Sequence, residues 1–117
     1  MAINVKILGK SMIEAARRAA SQQWGEVAPV AETQLQNLAA AAGEIDALLR
    51  MGQINDDRAR ELFAMQRTAV QAVMQRNSKA SAIAELLIDA AAAAIGGPLG
   101  GIIGGKVTAM FKAGKDL

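Results

Sequence analysis

The chain has no cysteine, no histidine and no tyrosine, and it carries only one tryptophan, two phenylalanines and two prolines. Each absence removes a class of chemistry. Without cysteine there is no disulfide framework, thiolate nucleophile, zinc finger or iron–sulfur cluster. A chain without thiols fits a reducing compartment. Without histidine the commonest general base and the commonest transition-metal ligand are gone, and so is the Glu-x-x-His motif of di-iron helical bundles. Neither Ser–His nor Cys–His nucleophilic catalysis can be assembled. Three aromatic rings do not make a stacking platform, and 13 basic against 11 acidic residues, a net charge of +2, is too balanced for a nucleic-acid footprint. The isoelectric point near 9.3 reflects the missing His and Cys, which would buffer the neutral range. The carboxylates fall in helical stretches at solvent-face spacing, so no enzyme, cofactor or metal is expected.

What is present is alanine and the strong helix formers. With 117 residues, 52% apolar and 21% charged, the chain has the size of one domain that folds rather than a disordered segment. Ala, Leu, Gln, Arg, Glu and Met dominate residues 12–95, and β-branched residues never alternate over a long run. The fold class is therefore all-α: an Ala-rich helical hairpin or small bundle of two or three amphipathic helices, followed by a Gly/Ala-rich hydrophobic C-terminal hairpin. Residues 1–80 read as the amphipathic helical region. Residues 81–117 read as a hydrophobic glycine-zipper segment with a basic tail.

The first helix is expected to start near Ser11, where Ser11 and Glu14 form a capping box; Ile3 and Ile7 share a face that allows an earlier start, but Gly9 weakens it. Gly25 is expected to end this helix, and Pro29 suits the first turn of the next. Leu35, Leu38, Ala42, Ile45 and Leu49 then follow at heptad spacing, the seam of a helix packed nearly parallel or antiparallel to a neighbour. The low bulk of residues 39–43 lets a partner helix come close.

Residues 50–57 combine Gly52, a natural residue just past a helix end, with Asn55 or Asp56 as the next N-cap. Asp56, Asp57 and Glu61 would then lie near the positive end of a helix dipole. The ten residues from Leu48 to Asp57 resemble the leucine–glycine–isoleucine–acid turn of short bacterial oligomerisation modules of the SHOCT type. A third helix is expected from Asp57 to Arg76, with a broad apolar face of Leu62, Phe63, Met65, Ala69, Val70, Val73 and Met74, and with Arg58, Arg60, Arg67, Gln71, Gln75 and Arg76 mostly exposed. Asn77-Ser78 is a candidate break. Either Ser78 or Ser81 caps a fourth helix, or the helix runs through.

The C-terminal segment differs from the rest. Sixteen uncharged residues separate Asp89 from Lys106, and six of the eleven glycines fall in positions 96–105. They make two small-xxx-small registers: Gly96, Gly100, Gly104 and Gly97, Gly101, Gly105. A helical glycine costs about 1 kcal/mol relative to alanine in water, so this density needs a compensating reason. The first reason is lipid, where small residues let helix backbones approach; the segment resembles the glycine zippers of small membrane-associated and pore-forming bacterial proteins. Sixteen helical residues span roughly 24 Å against a hydrocarbon core of ~30 Å, and Pro98 disfavours one straight helix. A hairpin bent at residues 96–98 fits better. The second reason is close packing against protein, within the chain or between subunits. The third is a loop, which suits residues 96–98 but not Leu99, Ile102 and Ile103. Ile95, Leu99, Ile102 and Ile103, with the six glycines, are the residues expected to meet membrane or other copies. Lys106, Lys112 and Lys115 are candidate headgroup contacts, or a solvated helix end favoured by the dipole.

Three smaller features have plain explanations. Glu85 and Asp89, four residues apart, read as a polar stripe facing solvent or Lys79 rather than a metal pair. Trp24 is a packing plug or an interface anchor. The run Gly-Gly-Lys-Val-Thr lacks the strand of a phosphate loop. The sequence thus leads to a non-enzymatic, self-assembling helical protein. Its glycine-rich end either enters or lies on a membrane, as in pore-forming, bacteriocin-like or phage ejection-type proteins. Alternatively it packs at subunit contacts of a filament, virion or secretion apparatus. The expected partners are further copies of the chain and, in the first reading, a bilayer. With no signal peptide expected at its N-terminus, a cytoplasmic or membrane-associated location follows.

Overall fold

The computed structural model describes residues 4–95 together with Gly100 and Ile102. It is all-α, and no strand occurs among the described residues. Among the described residues four α-helices follow in order: α1 (Val5–Ala20), α2 (Trp24–Arg50), α3 (Asp56–Gln75) and α4 (Ala84–Ala93), with a short 3-10 turn (Ser21–Gln23) between the first two.

The first helix begins earlier than Ser11. Asn4 is the N-cap, its side-chain oxygen accepting the Ile7 N–H at 3.2 Å. Gly9 lies inside the helix because Leu8 and Met12 on either side of it are buried in the core. Burying two such side chains outweighs the ~1 kcal/mol cost of one helical glycine. Gly25 does not end this helix either. The chain breaks at Ser21, the C-cap, which adopts φ 53° and ψ −121°. Gly25 instead sits in the first turn of α2, and Pro29 lies one turn further in, on the exposed side.

α1 packs on α2 and α4, α2 on α3, and α3 meets α4, so the helices close a ring. α1 and α2 run antiparallel: Gly9 faces Ala39 while Val5, one turn earlier, faces Gly43 one turn later. Both contacts use missing bulk. A Cβ on Gly9 would stand 3.8 Å from the Ala39 Cβ, and one on Gly43 would stand 2.6 Å from Val5 Cγ2. Leu35, Leu38 and Ala42 are fully buried, Ile45 is buried, and Leu49 packs at the core margin.

The α2–α3 joint has a physical cause at each residue. Gln53 N–H bonds to Leu48 O at 3.0 Å and Gly52 N–H to Leu49 O at 3.1 Å, the paired bonds of a Schellman ending. Gly52 occupies the required left-handed conformation at φ +71°. Asn55 then caps α3, its side-chain oxygen accepting the Arg58 N–H at 2.8 Å. Residues 57–95 are not one helix. Asn77 stops α3 by accepting the N–H groups of Lys79 at 2.9 Å and Ala80 at 3.1 Å, and turns continue to Ile83. Neither Ser78 nor Ser81 caps α4; Ile83 stands at that position without a side-chain cap. Leu87, Ile88 and Ala91 of α4 enter the same core as Met12 and Leu35.

Candidate functional site

The glycine-rich segment was the sequence's strongest functional candidate. Its Gly96, Gly97, Leu99, Gly101, Ile103, Gly104 and Gly105 lie outside the described residues, as do Lys106, Lys112, Lys115 and the hairpin bend at 96–98. Three of its members are described. Ile95 is buried just past α4, Gly100 is half-buried, and Ile102 packs against the core from its margin. A Cβ on Gly100 would lie 1.9 Å from the Ile95 carbonyl oxygen. No side chain fits there, so the backbone at this π-helical position requires glycine.

Two arginines of α3 hold this end of the molecule. Arg60 donates from Nε to the Ile102 carbonyl at 3.0 Å, across 42 residues of sequence, and from Nη1 to Asp57 at 2.7 Å. Arg67 pairs with Asp89 of α4. Both side chains are largely covered, 27% and 18% exposed, where the sequence placed them mostly in solvent. The cause is tertiary: Asp89 lies on α4 and the Ile102 carbonyl beyond it, so the α3 pattern alone does not reveal them. Burial lowers the Arg67 pKa below its usual value, against the opposing charge of Glu85. Asp89 is thus an ion-pair partner between helices, while Glu85 stays exposed.

The broad apolar face expected on α3 divides. Phe63, Val70 and Met74, with Ala59, enter the core and Leu62 lies at its margin, but Met65, Ala69 and Val73 are exposed. Trp24 opens α2 and packs against the core. Asp46, one turn from the end of α2, is buried and accepts from Arg50 Nε at 2.8 Å, a pair that sequence reading passed over.

Shallow grooves run along α1. One is lined by Lys10, Glu14, Arg18 and Ala94, and the other by Lys6, Gly9 and Gln36. Glu14 is held by Arg17, whose hydrogen bond draws the carboxyl below its usual pKa. Among the described residues no buried side-chain polar atom lacks a partner, and no group of three acidic residues could hold a metal. No described helix is long and apolar enough to cross a membrane. Compared with known proteins, the chain matches no family model, no curated protein and no solved structure.

Proposed function

We propose that the chain is a non-enzymatic subunit of a homo-oligomeric assembly, and that its glycine-rich segment works in contact with protein. The observation that supports this reading is the treatment of Ile95, Gly100 and Ile102. Each is buried or half-buried, and Arg60 binds the Ile102 carbonyl to the helical body. A carbonyl held by an arginine against protein is not presented to lipid. The small residues then let neighbouring backbones approach closely, and the aliphatic ones supply area. An Ala-rich chain buries little core per helix, which favours association as a source of further burial.

The competing reading is membrane insertion by the same segment. One experiment separates them. The full chain and a variant lacking residues 96–105 are compared by light scattering in detergent-free buffer and by co-sedimentation with anionic vesicles. Assembly predicts discrete particles that depend on residues 96–105, with the protein left in the supernatant of the vesicle spin. Vesicle binding that vanishes with the deletion would establish the membrane reading instead. A monomer that ignores vesicles would dismiss both.

A further inference from the structure

The outward side of α3 is exposed and meets no other element among the described residues. Met65, Ala69 and Val73 follow at four-residue steps, which places them on one stripe of the helix, with Leu62 beside them. Met65 is 62% exposed and Val73 39%. The opposite side of the same helix, through Phe63, Val70 and Met74, already fills the core. The stripe is also charged in a directional way. Glu61 lies at its N-terminal end and Arg76 at its C-terminal end, both exposed. Glu61 meets Arg58 at 3.0 Å, while Arg76 makes no ion pair among the described residues.

We propose that this face docks on the same face of a second copy, antiparallel, about a two-fold axis near Ala69. In that arrangement residues equally far from Ala69 come to the same height. Met65 then lies level with Val73 of the second copy, and Leu62 with the aliphatic stem of its Arg76. The guanidinium of that Arg76 falls beside Glu61. A parallel arrangement would set Arg76 against Arg76 and Glu61 against Glu61, so the charges select the antiparallel one. Ala69 at the centre lets the two helices approach closely. The contact is isologous and closes on itself, as most homodimer interfaces do. It is one helix wide and about 22 Å long between Glu61 and Arg76. That is smaller than the ~800 Å² per partner of a standard interface, in the range of weak, reversible contacts.

This inference rests on the self-association reading but uses a different surface from residues 96–105. Sedimentation velocity on the full chain, across a concentration series at low salt, tests it. The expected result is a reversible monomer–dimer step that persists when residues 96–105 are deleted. Ala69→Glu, at an exposed site and with a good helix former, is expected to abolish that step while circular dichroism stays unchanged. Glu61→Arg and Arg76→Glu are each expected to weaken it about tenfold, and the double variant to return it to within about threefold of the parent. The α3 proposal is overturned by a dimer that survives Ala69→Glu, or by a double variant weaker than either single one. A particle that depends only on residues 96–105 would overturn it while leaving the proposed function standing.

Discussion

Ser21 carries a backbone conformation that suits glycine. Its φ of 53° is the one positive value at a non-glycine residue among those described, and it occurs where α1 gives way to α2. The left-handed region crowds an L side chain at a cost of about 1–2 kcal/mol. Ser21 is exposed, so its side chain gives back little by packing. Ser21→Gly is therefore expected to stabilise the fold by about 1 kcal/mol, seen as a higher urea midpoint with an unchanged slope. No gain would mean that the turn relaxes at no cost. Gly9 poses the opposite case. It sits inside α1, and a Cβ there would make an ordinary 3.8 Å contact with Ala39. Gly9→Ala is expected to add about 1 kcal/mol from helix propensity alone. Gly43→Ala should gain less, because its Cβ would meet Val5 Cγ2 at 2.6 Å and Val5 would have to move. Comparing the two denaturation midpoints checks the ranking.

At the scale of helices, local chemistry and tertiary pairing separate cleanly. The joint around Gly52 and Asn55 is readable from sequence because every bond in it joins residues within five positions of each other. The start of α1 is readable only in part: Asn4 caps it through a bond three positions long, but its run through Gly9 depends on Leu8 and Met12 finding a core supplied by other helices. The coverage of Arg60 and Arg67 fails in the same way, because their α3 neighbours describe a solvent face. The Arg67–Asp89 pair spans 22 residues and links α3 to α4. Removing one partner leaves a guanidinium with 18% exposure next to Glu85 alone, while Asp89 itself is 44% open to water. A fully buried pair broken this way costs about 3–5 kcal/mol, and an exposed pair at most ~1. Asp89→Asn is therefore expected to cost about 1–2 kcal/mol, between those limits. In Arg67→Met the methylene packing remains and only the 44% exposed Asp89 carboxylate loses its partner, a charge that water can solvate, so the double variant should cost less than the sum of the two singles. A four-member denaturation cycle measures this; simple additivity would mean that the pair contributes nothing.

For the molecule as a whole, Ile102, beyond the end of α4, is held against the helical body. α4 ends at Ala93, Ile95 is buried, Gly100 is half-buried, and the Ile102 carbonyl is bonded to Arg60. Arg60 is suited to this because a guanidinium donates in several directions at once. Its Nη1 is fixed by Asp57, which leaves Nε aimed at the carbonyl. A hydrogen bond from a charged donor contributes about 1.5–3 kcal/mol, more than a neutral one. Arg60→Ala should therefore speed amide hydrogen exchange in the peptide containing Ile102 by about tenfold, since each tenfold corresponds to ~1.4 kcal/mol of local opening. Exchange in the core of α2, around Leu35 and Leu38, should not change, because those residues are fully buried and exchange there requires opening of the helical body rather than of the Ile102 contact. Arg60→Lys should protect only partly, as one ammonium cannot span both the Asp57 carboxylate and the carbonyl in the same geometry. Asp57→Asn should have the smallest effect, because Nε remains free to donate. Unchanged exchange at Ile102 in Arg60→Ala would show that apolar packing of Ile95 and Ile102, rather than the arginine, retains this end of the chain.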